Sequence, residues 1–322
     1  MKPTNALSHI IVLVVFAMSA LGCSDRQEPD AGPASAAESS PGPNIVEVVA
    51  KGLTFEGPSE IPSGWTTFRF KNESAMTHFV LFERMPEGKG VADQQSEVAP
   101  VFQDGMDLLN QGDADAALAK FGELPEWFGG IVFMGGPGLA GPGQITETTV
   151  YLEPGTYVME CYVKTAGIFH SYNPLENAYG MVFEFTVTSE ASNAPEPVAD
   201  LNITLSSERG IEIEGDVTQG KHTVSVYFED QTTHENFVGH DVHLVRIDEN
   251  TDLEELGTWI NWMNPTGLET PAPVQFVGGT NEMPAGSTAY FTVDLEPGDY
   301  AWISEVANPA QKGMLKAFTV GS

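Results

Sequence analysis

The chain has 322 residues and carries 45 acidic against 14 basic side chains, a formal net charge of −31 at neutral pH. A phosphate-binding surface needs clustered Lys and Arg, so nucleic acid is excluded as a partner. The acidity suits a solvating surface or a face for a basic partner, and the length beyond the leader suits two domains.

The leader is residues 1–23. It has one basic residue, Lys2, then an apolar run from Ile10 to Ala17 and the small-residue cluster Ser19-Ala20-Leu21-Gly22 before Cys23. That run is too short to span a bilayer, so it reads as a cleaved signal peptide. ALGC resembles a bacterial lipobox, with Leu21 two residues before the Cys rather than three. This implies lipidation at Cys23 and a bacterial cell-envelope protein, with Ser24 favouring the outer membrane; the alternative is an ordinary signal peptide with an incidental Cys. Residues 24–44 are rich in Ser, Ala, Pro and Gly and cannot form a core, so they read as a flexible tether.

From Ile45 the chain alternates apolar and polar residues in NIVEVVAKGLTF, TTFRFKN, HFVLFERM, TTVYLEPGTYVMEC and MVFEFTV. Bounded by Gly and Pro turns, these runs predict antiparallel strands of an all-β sandwich. Between them, residues 98–124 carry helical spacing, with Asp113 as N-cap and Gly122 as stop, and predict short helices capping one end. The next stretch, GGIVFMGGPGLAGPGQ, lacks a Lys-Ser/Thr after its glycines. It reads as a mobile loop near a sheet end, not a phosphate cradle.

The second half repeats the first. TETTVYLEPGTYVMEC (Thr146–Cys161) has its counterpart in TAYFTVDLEPGDYAWIS (Thr288–Ser304), GMVFEFTV in GMLKAFTV, and HFVLFERM in HDVHLVRI. Three anchors in one order indicate an internal duplication. The domains are then 45–187 and 201–322, joined by a Ser-, Ala- and Pro-rich linker over 188–200.

Only Cys23 and Cys161 are cysteines, so Cys161 has no partner in its own chain although the envelope is oxidising. Either it is buried and inert, or something holds its sulfur. A metal would do so, and a thiolate with two imidazoles and a weak thioether is the ligand set of a blue-copper site. His78 begins a strand after the loop KNESAMT, while Cys161, His170 and Met181 surround the loop before MVFEFTV. Taken singly, Met181 reads as a core residue and His170 as a solvated loop histidine.

At these phrases the sequence resembles the cupredoxins, in particular plastocyanin-like domains of bacterial envelope proteins. IPSGWTTFRFKNESAMTHFVLFERM is similar to the family's turn, strand, Asn-bearing loop and first His. LEPGTYVMEC is similar to its penultimate strand ending in Cys, and YGMVFEFTV to its last strand beginning with the axial Met. The resemblance implies two tandem Greek-key sandwiches, the first with a short helical insertion. It implies His78 and His170 as imidazole ligands, Cys161 as thiolate and Met181 as axial thioether. One departure stands out: eight residues separate Cys161 from His170 and ten separate His170 from Met181, a long loop. This leaves Glu160, Tyr162 and Glu176 as alternatives at the axial position.

In the second copy Ser304 stands where Cys161 stands, the loop EVANPAQKGM holds no His, and only His240 and Met314 remain. One copper is therefore expected, in the first domain. The second domain is expected to fold by itself without tight copper binding. His240 and His243, three apart on a strand, face opposite sides and make no chelating pair. The function expected is a non-enzymatic, envelope-anchored electron carrier with a redox partner protein, touching the membrane through lipid alone. The alternative is a metal-free binding or scaffold lipoprotein. With His9 lost in the leader, six histidines and no His-x-His pair remain for further catalytic metals.

Overall fold

The structure is a computed structural model that describes residues 42–172 and 180–321. Cys23, the leader and most of the tether lie outside the described residues, as does Glu176. Pro41–Ser322 form one compact unit.

The first half holds strands β1 (Ile45–Lys51), β2 (Thr54–Glu56), β3 (Glu60–Asn72), β4 (Leu81–Arg84), β5 (Val132–Phe133), β6 (Ile145–Leu152) and β7 (Gly155–Glu160). A two-residue pair, β8 (Lys164–Thr165) and β9 (Ile168–Phe169), precedes its last strand, β10 (Val182–Ala191). The second half holds β11 (Leu201–Ser206), β12 (Gly210–Glu214), β13 (Gly220–Phe228), β14 (Val242–Ile247), β15 (Gln275–Thr280), β16 (Thr288–Leu295), β17 (Gly298–Ile303) and β18 (Leu315–Val320). The alternation of β1 buries Val46, Val48 and Ala50 and turns Ile45 and Glu47 outward, as a half-buried strand requires.

Apart from β3 with β10, which pair only in the first half, the pairings of the two halves coincide. β1 lies parallel to β3, as β11 does to β13. β3 pairs with β6, β4 with β7 and β7 with β10; β13 with β16, β14 with β17 and β17 with β18 repeat the pattern. Each half is thus a two-layered β-sandwich, and the duplication extends to side chains. Arg84 donates to Glu153 Oε2 at 2.6 Å and Arg246 to Glu296 Oε2 at 3.0 Å. Tyr157 O–H bonds the Glu153 carbonyl at 2.9 Å and Tyr300 O–H the Glu296 carbonyl at 3.1 Å. The LEPG turn is held the same way twice.

The halves are not beads on a string. β6 and β16, equivalent strands, pair antiparallel with Tyr290 opposite Thr149, which runs one sheet through both halves. Equivalent elements meeting antiparallel is the arrangement of a self-complementary interface between duplicated units. Lys164, fully buried, donates across the junction to the Trp262 and Asn264 carbonyls at 2.9 and 3.0 Å.

The glycine-rich stretch departs from expectation. It is no mobile surface loop: Leu139 and Ala140 are fully buried, and Gly135, Gly138 and Gly141 donate to the carbonyls of Glu282, Gly279 and Phe276. Glycine is required by close approach, since a Cβ on Gly138 would sit 2.8 Å from His243 Nδ1 and from the Gly279 carbonyl carbon. The helical insertion follows expectation. Helices Ala99–Asn110 and Ala114–Phe121 pack together, with Asp113 accepting from the Ala116 N–H at 3.0 Å and Gly122 at the end.

Candidate metal centre

His78 precedes β4, Cys161 follows β7, His170 follows β9 and Met181 precedes β10. Because β4, β7 and β10 are neighbours, three of these four gather at one end of the sandwich. The candidate ligand atoms of His78, Cys161 and His170 all lie within 4.8 Å of one another. His78 Nδ1 is 3.6 Å from Cys161 Sγ, and the two imidazole centroids are 5.0 Å apart. Met181 is fully buried and its backbone is pinned between the others: its N–H donates to the His170 carbonyl at 2.7 Å and its carbonyl accepts from the Cys161 N–H at 3.0 Å.

The surroundings fix the thiol and the imidazoles. The backbone amides of Phe79 and Val163 favour the Cys161 thiolate, against the larger effect of burial. His170 Nε2 is bonded to Thr165 Oγ1 at 2.8 Å, which leaves Nδ1 buried and without a partner. His78 Nε2 is likewise a buried, unpartnered atom. Asn72 anchors the loop before His78 by donating to the Met76, Ala140 and Gly141 carbonyls at 2.7, 2.9 and 3.1 Å.

Burial sets the protonation states. It pushes the Cys161 thiol up to about 12 and lowers His78 to about 4; His170 is lowered to about 3, by burial and then by the neighbouring His78. The imidazoles are neutral and have lone pairs to give, and a soft cation would displace the thiol proton. A buried thiol with His78 Nδ1 at 3.6 Å and the unpartnered Nδ1 of His170 in the same group fits a type 1 copper centre.

Glu160 and Tyr162, before and after Cys161, share the face of the extended segment opposite the thiol, line one cavity and are committed elsewhere. Glu160 accepts from Gln94, and Tyr162 O–H donates to Glu305 Oε2 at 3.0 Å. Sequence reasoning missed the roles of the Phe79, Val163 and Thr165 groups; two of these are backbone donors, which carry no side-chain signal.

The second half keeps the frame and lacks the ligands. Ser304 N–H donates to the Met314 carbonyl at 3.0 Å, matching Cys161 and Met181. Asp241, His243 and Glu305 form a second buried group with candidate ligand atoms within 4.8 Å, but its imidazole is already used. His243 Nδ1 accepts from the Leu139 N–H at 3.1 Å, so the ring proton is on Nε2 and goes to Asp241 Oδ2 at 2.8 Å. Ser304 Oγ fills Asp241 Oδ1 at 2.7 Å. No lone pair of that imidazole is left for an ion.

Both halves have the same β-sandwich arrangement. No family model matches the chain, and no curated protein does. Among solved structures it is similar to auracyanin A, a blue copper protein from Chloroflexus aurantiacus. The identity is 23%, over 46% of this chain and all of that one, with a TM-score of 0.27. It is also similar to a multicopper oxidase (14% identity, 86% of this chain and 88% of that one, TM-score 0.21). A copper-containing nitrite reductase from Thermus scotoductus SA-01 matches at 13% identity over 86% of this chain and 61% of that one, TM-score 0.21. The expectation of a non-enzymatic protein is corrected by these matches: the two that span both halves are enzymes.

Proposed function

We propose that the chain binds one copper ion through His78, Cys161 and His170, with Met181 as the axial thioether, and serves as a one-electron relay in a bacterial cell envelope. The observation that carries this reading is the buried Cys161 grouped with two buried imidazoles, His78 Nδ1 lying 3.6 Å from its Sγ and His170 Nδ1 having no partner. Copper bound there supplies a one-electron couple between Cu(II) and Cu(I). The protein's part is to hold the ligands still. The Phe79 and Val163 amides favour the thiolate, Thr165 turns His170, Asn72 clamps the loop, and the two β-layers exclude water. A site fixed in this way reorganises little when the charge changes.

The chain has a leader ending in ALGC and a Pro/Ser-rich tether, and no helix among the described residues is long and apolar enough to cross a membrane. Both support lipid attachment at Cys23, with the folded unit held off an outer membrane on its tether and passing electrons to an envelope redox protein. Adding Cu(II) to the purified protein should produce an intense visible thiolate-to-copper band. Cys161→Ser should abolish it, and His78→Ala or His170→Ala should bleach or shift it. Unchanged colour in Cys161→Ser would overturn the assignment, and an unmodified N-terminus downstream of Cys23 by mass spectrometry would overturn the anchor.

A further inference from the structure

Beside the metal centre lies a second site that electron transfer does not use. A cavity of about 540 Å³ opens between the helical insertion and the sheet edge, a volume typical of small-molecule sites. Its walls are aromatic: Phe102, Phe121, Phe128, Phe237 and Trp262 line it, most of them in edge-on contact at 5.7–5.8 Å between centroids. Its inner end carries Glu83, Glu160 and Glu282 with Gln94 and Tyr162, and no Lys, Arg or His among the described residues lines it.

The polar groups of that inner end leave acceptors over. Gln94, 1% exposed, donates Nε2 to both Glu83 and Glu160 and leaves Oε1 without a partner. Glu282 Oε2 takes the Gly239 N–H, and its other oxygen has no hydrogen bond among the described residues. Three carboxyls gathered at the end of an apolar cavity without a counter-charge are costly when ionised. Burial accordingly raises Glu83, and Glu282 to about 8. An ammonium group would replace the proton, offer three donors to these acceptors and lie within reach of aromatic faces.

We propose that this cavity binds a small organic cation, a protonated amine on an apolar body, with the ammonium against Glu83, Glu160 and Glu282 and the body between Phe102, Phe121 and Trp262. Charge complementarity selects this occupant over a neutral or anionic one of the same shape. The site goes beyond the copper reading and does not depend on it, although Tyr162 and Glu160, the neighbours of Cys161 in sequence, both line the cavity.

The test is calorimetric titration of the copper-free, full-length protein at pH 8 with three probes of similar size: 2-phenylethylamine, 2-phenylethanol and phenylacetate. The amine should bind at least about tenfold tighter than the alcohol, with phenylacetate not binding. Glu282→Gln should weaken the amine about tenfold and leave the alcohol unchanged. Leu118→Trp, placed at the rim where Leu118 is 49% exposed, should block both without touching the core. Equal affinity for amine and alcohol, or no loss in either variant, overturns the proposal. Because the protein carries no metal in this experiment, failure here and failure of the copper assignment are read separately.

Discussion

Tyr162 donates its phenolic O–H to Glu305 Oε2 at 3.0 Å, joining the residue after Cys161 to the residue after Ser304, the equivalent position of the other half. Glu305 is 1% exposed and its Oε1 has no partner, so this bond is the sole side-chain hydrogen bond its carboxyl makes among the described residues. Tyr162→Phe should therefore lower stability by about 1–3 kcal/mol. Urea midpoints of the two proteins measure this, and coincident midpoints would show that the bond contributes nothing.

Met181 offers a way to separate a ligand from a core residue. If its thioether is the axial donor, Met181→Leu should keep the blue band and raise the reduction potential, because losing an electron-donating ligand favours Cu(I). Met181→Gln should lower it, since a harder oxygen favours Cu(II). Voltammetry of both variants decides; potentials equal to the parent's would leave Met181 a packing residue.

The buried carboxyls make stability fall with rising pH. Glu282 is raised to about 8, and Glu83 and Glu305 are also raised, all chiefly by burial. A group whose folded pKa exceeds its unfolded value, about 4.3 for Glu, stabilises fully below that value and loses the contribution as pH rises through the folded pKa. Unfolding free energy should thus decline between about pH 5 and pH 8. Glu282→Gln should flatten the slope by about 1–3 kcal/mol across that window. A parent profile flat over the same range would contradict the assignment.

The shared sheet makes a prediction about dissection. Separating residues 201–322 from the first half would strip β16 of β6 and uncover Phe276 to Glu282, whose carbonyls take N–H donors from Gly135, Gly138 and Gly141. An unpaired strand edge beside an apolar strip is a template for association. The fragment should self-associate, seen as a concentration-dependent mass in sedimentation. A stable monomer would show that the halves fold independently, as their separate strand sets suggest from sequence.

The strands, the duplication and the Asp113 cap were readable from the chain, and so was the grouping of His78, Cys161 and His170 as candidates. Each is local: alternation, a cap and a turn repeat within a few residues, and a copied LEPG turn keeps its Arg and Tyr contacts. What the tertiary structure decided depends on distance in sequence. Only packing shows that GGPGLAG is a buried strip rather than a loop, because its glycines are fixed by carbonyls some 140 residues away. Only the fold shows that His243 spends its lone pair on Leu139, that the Phe79 and Val163 amides favour the thiolate, and that Glu83, Glu160 and Glu282 meet around one cavity. Sequence fixes which groups exist and which way a strand turns them; burial and the partners across the sandwich fix their charge and what they can bind.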